Sequence, residues 1–169
     1  MRKGIAFEVR PIPARLLKSL GDSLRFDLPG LTVLDLYAGR GTIGLMLLEE
    51  GAEHAVFVEN NRSLVKEIRE RLSKQNLSGK VEEDDVFRFL ERLPPDQKFD
   101  LIIADPPFPL WNDQFEKELY GFVAPRMAPE GKMILKIPAH RLPPDAIYDL
   151  RLEKSSKVGD SQLVYYRRQ

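Results

Sequence analysis

A strand that runs into a glycine-rich turn and re-forms as a helix constrains this chain more than any other feature. Residues 33–46 read VLDLYAGRGTIGLM. Val33, Leu34 and Leu36 suit a buried strand, and the helix that follows runs to about Glu50, where Gly51 ends it. Glycines at 39, 41 and 44 let the backbone turn sharply and let a ligand lie against bare main chain. The spacing is formally G-x-G-x-x-G, a nucleotide-cofactor fingerprint that an ordinary strand-to-helix turn also satisfies by chance.

Asp35 narrows the choice. A carboxylate at the strand end, pointing into the glycine crevice, repels a pyrophosphate and welcomes a cation. S-adenosylmethionine (SAM) has no phosphate and carries an ammonium and a sulfonium. The acidic strand end therefore points to SAM rather than NAD. Tyr37, Gly39 and Gly41, in the turn itself, join Asp35 as candidates for holding that cofactor.

The rest of the chain supplies alternating strands and helices. Residues 1–12 alternate loosely at Ile5, Phe7 and Val9 and read as a short arm or edge strand. Pro11 and Pro13 then set up a helix carrying Leu16, Leu17, Leu20 and Leu24 at helical spacing. Ala55 to Glu59 is an apolar strand closed by an acid, as expected of a parallel strand buried on both faces. Asn60 or Asn61 can cap the next helix, with Leu64, Ile68 and Leu72 inward and Ser78-Gly79 at its end. A brief strand near Val81 leads to Asp84-Asp85 and a helix burying Val86, Phe89 and Leu90. Phe99 to Ala104 is a further buried strand, followed by a helix with Phe115, Leu119 and Phe122 and a strand over Lys132 to Ile137. Two alternating runs, IYDLRLE and QLVYY, flank a Gly159-Asp160 turn as a closing antiparallel hairpin.

This pattern predicts one α/β domain over residues 1–169, with residues 1–29 as a short basic arm and helix. The ligand belongs at the carboxyl ends of the strands, where strand order reverses. Asp35, Glu59, Asp85 and Asp105 all fall there.

Composition excludes several classes. With no cysteine there are no disulfides or thiolate zinc sites, and two histidines leave little for another metal. No apolar run approaches a membrane span, so the expectation is a cytoplasmic monomer with no metal and no membrane partner. The formal net charge is +0, which argues against non-specific coating of nucleic acid. Its distribution is uneven. Basic ends, with Arg2, Lys3, Arg10 and Arg15 at one and Arg151, Lys154, Arg167 and Arg168 at the other, flank the acidic run Glu82-Glu83-Asp84-Asp85. Such ends can form a phosphate-binding rim beside a cation-binding pocket, or simply a solvated surface.

Glu59 lies 20 residues beyond Gly39, the position from which a carboxylate accepts the ribose hydroxyls of a bound nucleoside. Asn60 follows it. Asp85 can take an adenine amino group, with Val86 supplying a backbone donor and an apolar wall, although Asp84 is an equal neighbour on sequence alone. The most specific signal is Asp105-Pro106-Pro107-Phe108. Two successive prolines fix the backbone and remove two donors. The rigid turn can present the Asp105 carboxylate and the Pro106 carbonyl as converging acceptors for a planar amino group. Phe108 can stack on the base that carries it. The bland alternative is a proline-rich turn after a buried strand. His54, His140, Trp111 and Lys136 are set aside as surface, packing or strand-end residues.

On these residues the sequence resembles the class I SAM-dependent methyltransferases with an Asp-Pro-Pro-Phe/Tyr motif. Within them it is similar to the RsmD type, small-subunit ribosomal RNA (guanine-N(2))-methyltransferases. The resemblance runs from about Arg10 to the C-terminus and rests on Arg10-Pro11, VLDLYAGRGTIGL, Val58-Glu59-Asn60, DPPF and the closing KVGDSQLVYYRR. It implies a Rossmann-like, mostly parallel seven-stranded sheet with a C-terminal antiparallel hairpin and helices on both faces. It also implies SAM as methyl donor, and an amino group of an RNA base as acceptor, guanine N2 foremost. Family members begin with a longer basic arm before an Arg-Pro-Thr segment; here the arm is short and Ile12 stands for the threonine. DNA adenine-N6 transfer, protein-glutamine transfer and a non-catalytic SAM- and RNA-binding module are the alternatives.

Overall fold

The structure is a computed structural model that describes residues 10–169. The arm residues Arg2, Lys3, Ile5, Phe7 and Val9 lie outside the described residues. The chain runs α1 (Ala14–Leu24), β1 (Thr32–Leu36), α2 (Thr42–Glu49), β2 (His54–Glu59), α3 (Arg62–Gln75), β3 (Gly79–Glu83), α4 (Val86–Arg92), β4 (Phe99–Ala104), α5 (Asp113–Val123), β5 (Met127–Pro138), β6 (Ala146–Ile147), β7 (Leu150–Val158) and β8 (Ser161–Arg168).

The strands form one sheet in the order β3-β2-β1-β4-β5-β8-β7-β6. β1, β2, β3, β4 and β5 run parallel, and β8 enters antiparallel to β5. β7 and β8 form the closing hairpin around Gly159. Among the described residues the sheet therefore has eight strands rather than seven. The additional strand is the two-residue β6, which pairs Ala146 with Arg151 and Ile147 with Leu150. The run beginning at Ile147 is broken because Tyr148 takes a left-handed φ of 54° and reverses the chain.

Alternation along the buried strands divides the core. Leu34, Leu36, Val56 and Val58 face α4 and α5, with Val86, Phe89, Leu90, Phe115, Leu119 and Val123 packed onto them. Val33, Phe57, Leu101 and Ile103 face the other way, under Leu16, Leu20, Leu24, Leu45, Val65 and Ile68 of α1, α2 and α3. Each fully buried leucine removes enough apolar surface to contribute about 1.5–3 kcal/mol, an upper value because the unfolded chain is partly collapsed. Leu17 is half-buried against the core rather than within it. On α5, Phe122 is likewise half-buried, and Tyr120 and Val123 join Leu119 in the deepest places.

Local signals explain the helix ends. The Pro13 carbonyl accepts the amides of Leu16 and Leu17, so the proline stands just before α1. Asn61, not Asn60, caps α3, its Oδ1 accepting from Ser63 and Leu64. That helix ends at Asn76, which adopts a left-handed φ of 52°, and not at Ser78-Gly79. Gly79 instead opens β3. A Cβ there would stand 2.8 Å from Leu72 Cδ2. Among the described residues no helix is long and apolar enough to cross a membrane.

Candidate active site

Strand order reverses between β1 and β4, with β2 on the other side of β1, and a switch point of this kind opens a crevice at the carboxyl ends of the strands. The loop after β1 forms one wall. Tyr37, Gly39 and Gly41 all have left-handed φ values, 59°, 58° and 73°. Gly41 directly precedes α2. Glycine adopts this geometry without strain; Tyr37, which has a Cβ, does so at a cost that the surrounding contacts must offset. Its ring lies edge-on to Phe115, 6.4 Å between centroids.

Glu59 ties this wall to the next. Its Oε2 accepts the Gly39 amide at 2.8 Å and its Oε1 accepts the Asn61 amide at 2.9 Å. One carboxylate at the end of β2 thus holds the glycine turn and the start of α3 together, while its remaining lone pairs can still accept. Asn60 is exposed beside it.

Asp35 points to the α2 side of the sheet and is almost completely buried. Its Oδ2 accepts the Gly44 amide at 3.1 Å. Burial pushes this carboxyl up to about 7; the Gly44 hydrogen bond opposes the rise, and the nearby Asp105 and Glu59 charges add to it. An incoming cation would return it to the charged form. Gly44 is obligatory for close packing: a Cβ there would meet Phe57 Cε1 at 2.3 Å and Asp35 Oδ2 at 2.8 Å.

At the next strand end the structure separates two residues that sequence leaves equal. Asp84 is consumed by Arg88 and Arg92, at 2.6 and 2.9 Å. Asp85 caps α4 through Oδ1, which accepts from Phe87 and Arg88, leaving Oδ2 as the candidate acceptor. Val86, the first residue of α4, is buried against the core.

Across the crevice, β4 ends at Ala104, and the Asp105 amide donates to the Leu36 carbonyl at 3.3 Å. That bond sets Asp105 directly beside the end of β1. Pro106 is buried, Pro107 is half-buried, and Phe108 begins a single 3-10 turn ending at Leu110. The two prolines keep the backbone from closing back onto the sheet. Burial raises the Asp105 carboxyl above the usual range, and Lys136 works against that rise.

Lys136 is a buried residue of the crevice that the sequence reading sets aside. It is 8% exposed, its Nζ lies 2.9 Å from Asp105 Oδ1, and the same atom sits 5.2 Å from the centroid of the Phe108 ring. A signal was present: a lysine inside the apolar run Met133 to Ile137, on a strand flanked by neighbours, needs a buried counter-charge.

His54 bonds Ser78 at the opposite end of β2, and His140 is exposed. Trp111 packs edge-on to Phe115 at 5.4 Å, within an aromatic group that includes Tyr37 and Phe87.

Comparison with known proteins fits this geometry. Ribosomal RNA small subunit methyltransferase C of Mannheimia succiniciproducens is 37% identical over 94 residues, which is 55% of this chain and 25% of that protein. The match thus spans about a quarter of that curated relative's length. Among solved structures, the yhhF protein of Escherichia coli superposes with a TM-score of 0.82 at 20% identity, over 95% of this chain and 89% of that one. The Thermus thermophilus 16S rRNA N2 G1207 methyltransferase (RsmC), solved with AdoMet and guanosine, gives a TM-score of 0.71 at 25% identity, over 97% of this chain and 44% of that one. The family described as Conserved hypothetical protein 95 matches residues 4–167. The chain belongs to that family, the RsmD family of class I methyltransferases.

Proposed function

We propose that this protein transfers a methyl group from SAM to the exocyclic amino group of a base in RNA, with guanine N2 of small-subunit ribosomal RNA as the acceptor. The observation that carries the reading is that the Asp105-Pro106-Pro107-Phe108 turn starts beside the end of β1, with the Asp105 amide on the Leu36 carbonyl, and β1 leads directly into the Gly39–Gly41 turn. A relative that methylates small-subunit RNA and a structural neighbour that holds AdoMet together with guanosine support the same substrate class.

The donor set of the crevice suits SAM. Three carboxylates, Asp35, Glu59 and Asp85, stand at the ends of successive strands, and the Gly39–Gly41 turn offers bare backbone. That set favours a cation carrying hydroxyl and amino donors and disfavours phosphate. Asp35 would face the methionine end, Glu59 the ribose, and Asp85 with Val86 the adenine; Tyr37 and Asn60 border the site. When bound, SAM supplies an electrophilic methyl on a positively charged sulfur.

The chain's own residues do the rest. Asp105 and the Pro106 carbonyl accept the two hydrogens of the acceptor amine, which turns the nitrogen lone pair out of the base plane. Pro107 keeps that turn rigid, and Phe108 offers its ring to the base. Orientation of this kind supplies much of the rate, because both partners are fixed before they react. Asp105 also stabilises the positive charge that develops on nitrogen as the new bond forms. Offering radiolabelled SAM to RNA, small ribosomal subunits, DNA and protein in parallel tests the proposal. Label in small-subunit RNA, mapped to guanine N2 by mass spectrometry, supports it; label confined to protein or DNA overturns it.

A further inference from the structure

The buried ammonium of Lys136 engages the two side chains that the functional reading assigns to the acceptor base. It reaches Asp105 Oδ1 at 2.9 Å and stands 5.2 Å from the Phe108 ring centroid. Lysine is rarely buried, and at 8% exposure this one needs both a carboxylate and an aromatic face to offset lost hydration. The contact joins β5 to the turn after β4, across 31 residues of sequence.

We propose that Lys136 is a positioning residue for methyl transfer: its ammonium fixes the Asp105 carboxylate in the ionised, accepting form and rests against Phe108 until the base arrives. The proposal builds on the reading of Asp105 as the amine acceptor. A protonated Asp105 would present a hydroxyl donor towards an amino group that is itself a donor. Burial favours that unproductive form. The carboxylates at neighbouring strand ends, Asp35 on β1 and Glu59 on β2, form an acidic surround in which Asp105 and Glu59 both push Asp35 upward. At Asp105 itself the rise comes from burial, and Lys136 on β5 is the cation that counters it.

The test uses the full chain carrying Lys136→Met or Lys136→Arg, each first shown to be folded by its melting transition. Side-chain carboxyl carbons are titrated by NMR without RNA, and Asp105→Asn identifies the Asp105 signal. In Lys136→Met the Asp105 titration moves to higher pH. On RNA, kcat/KM below neutral pH falls on the order of tenfold relative to the alkaline plateau, the scale of effect of an opposite charge within a few ångströms. Lys136→Arg keeps both profiles close to those of the unaltered protein. An Asp105 titration unchanged in Lys136→Met overturns the proposal, as does a pH profile that keeps its shape while its plateau drops. Failure of the unaltered protein to methylate any RNA would contradict the functional reading instead; the carboxyl titration, made without RNA, still decides the pairing.

Discussion

The Glu59 carboxylate accepts the Gly39 amide at 2.8 Å and the Asn61 amide at 2.9 Å, so one side chain closes the glycine turn onto the start of α3. Removing it strands two donors in a region where Glu59 itself is 9% exposed. Glu59→Ala is expected to cost about 1–3 kcal/mol of stability, the penalty for buried donors left unpaired. It should also weaken SAM binding at least about tenfold, since charge-assisted hydrogen bonds contribute that much. Thermal melts with and without SAM measure both effects. A variant that melts normally and is still stabilised by SAM as the unaltered protein is would contradict this role.

Gly44 tests the packing beneath the same turn. A Cβ at this position would lie 2.3 Å from Phe57 Cε1, and Phe57 is fully buried. Gly44→Ala must therefore displace an aromatic ring or the first turn of α2, an overpacking cost of about 1–3 kcal/mol. For a chain of this size the melting temperature should drop by about 2–4 °C for each kcal/mol. An unchanged melting temperature would show that Phe57 and Asp35 yield freely.

Much of this arrangement is legible in the chain. The glycine spacing, the acids closing β1 and β2 and the DPPF turn each rest on local backbone chemistry, and the structure brings them to the ends of neighbouring strands. Partnerships between distant segments are not legible. The choice between Asp84 and Asp85 is local but depends on geometry: Arg88, four residues beyond Asp84, and Arg92 pair with the first acid and leave the second to cap α4. Lys136 looks like an exposed strand end until β5 is laid beside β4 and its ammonium meets Asp105. The eighth strand was hidden because it depends on Tyr148 adopting a left-handed conformation that tyrosine seldom takes.

Asp35 predicts a pH dependence with a definite sign. Burial raises its carboxyl from 3.8 to about 7. Below that lower value both folded and unfolded chains hold the proton. Between the two values the unfolded chain releases it while the folded chain retains it, so stability falls as pH rises across that window. Asp35→Asn removes the penalty and should be more stable than the unaltered protein by on the order of a few kcal/mol above neutral pH, with little difference near pH ~4. Urea denaturation at the two extremes reads the gap; a gap of equal size at both would contradict burial as its cause. For the unaltered protein, SAM affinity should rise with pH through neutrality, because the cation favours charged Asp35.

In the proposed reaction Asp105 places the acceptor amine and takes no part in holding the methyl donor. Asp105→Ala should bind labelled SAM in equilibrium dialysis with an affinity within a few-fold of the unaltered protein's, since the contacts proposed for the donor lie on β1, β2 and α4. Methyl transfer to unmodified small-subunit RNA at saturating SAM should fall about 100-fold or more, the scale of losing a principal transition-state contact. Loss of SAM affinity together with normal turnover at saturation would contradict the assignment of Asp105 to the acceptor amine.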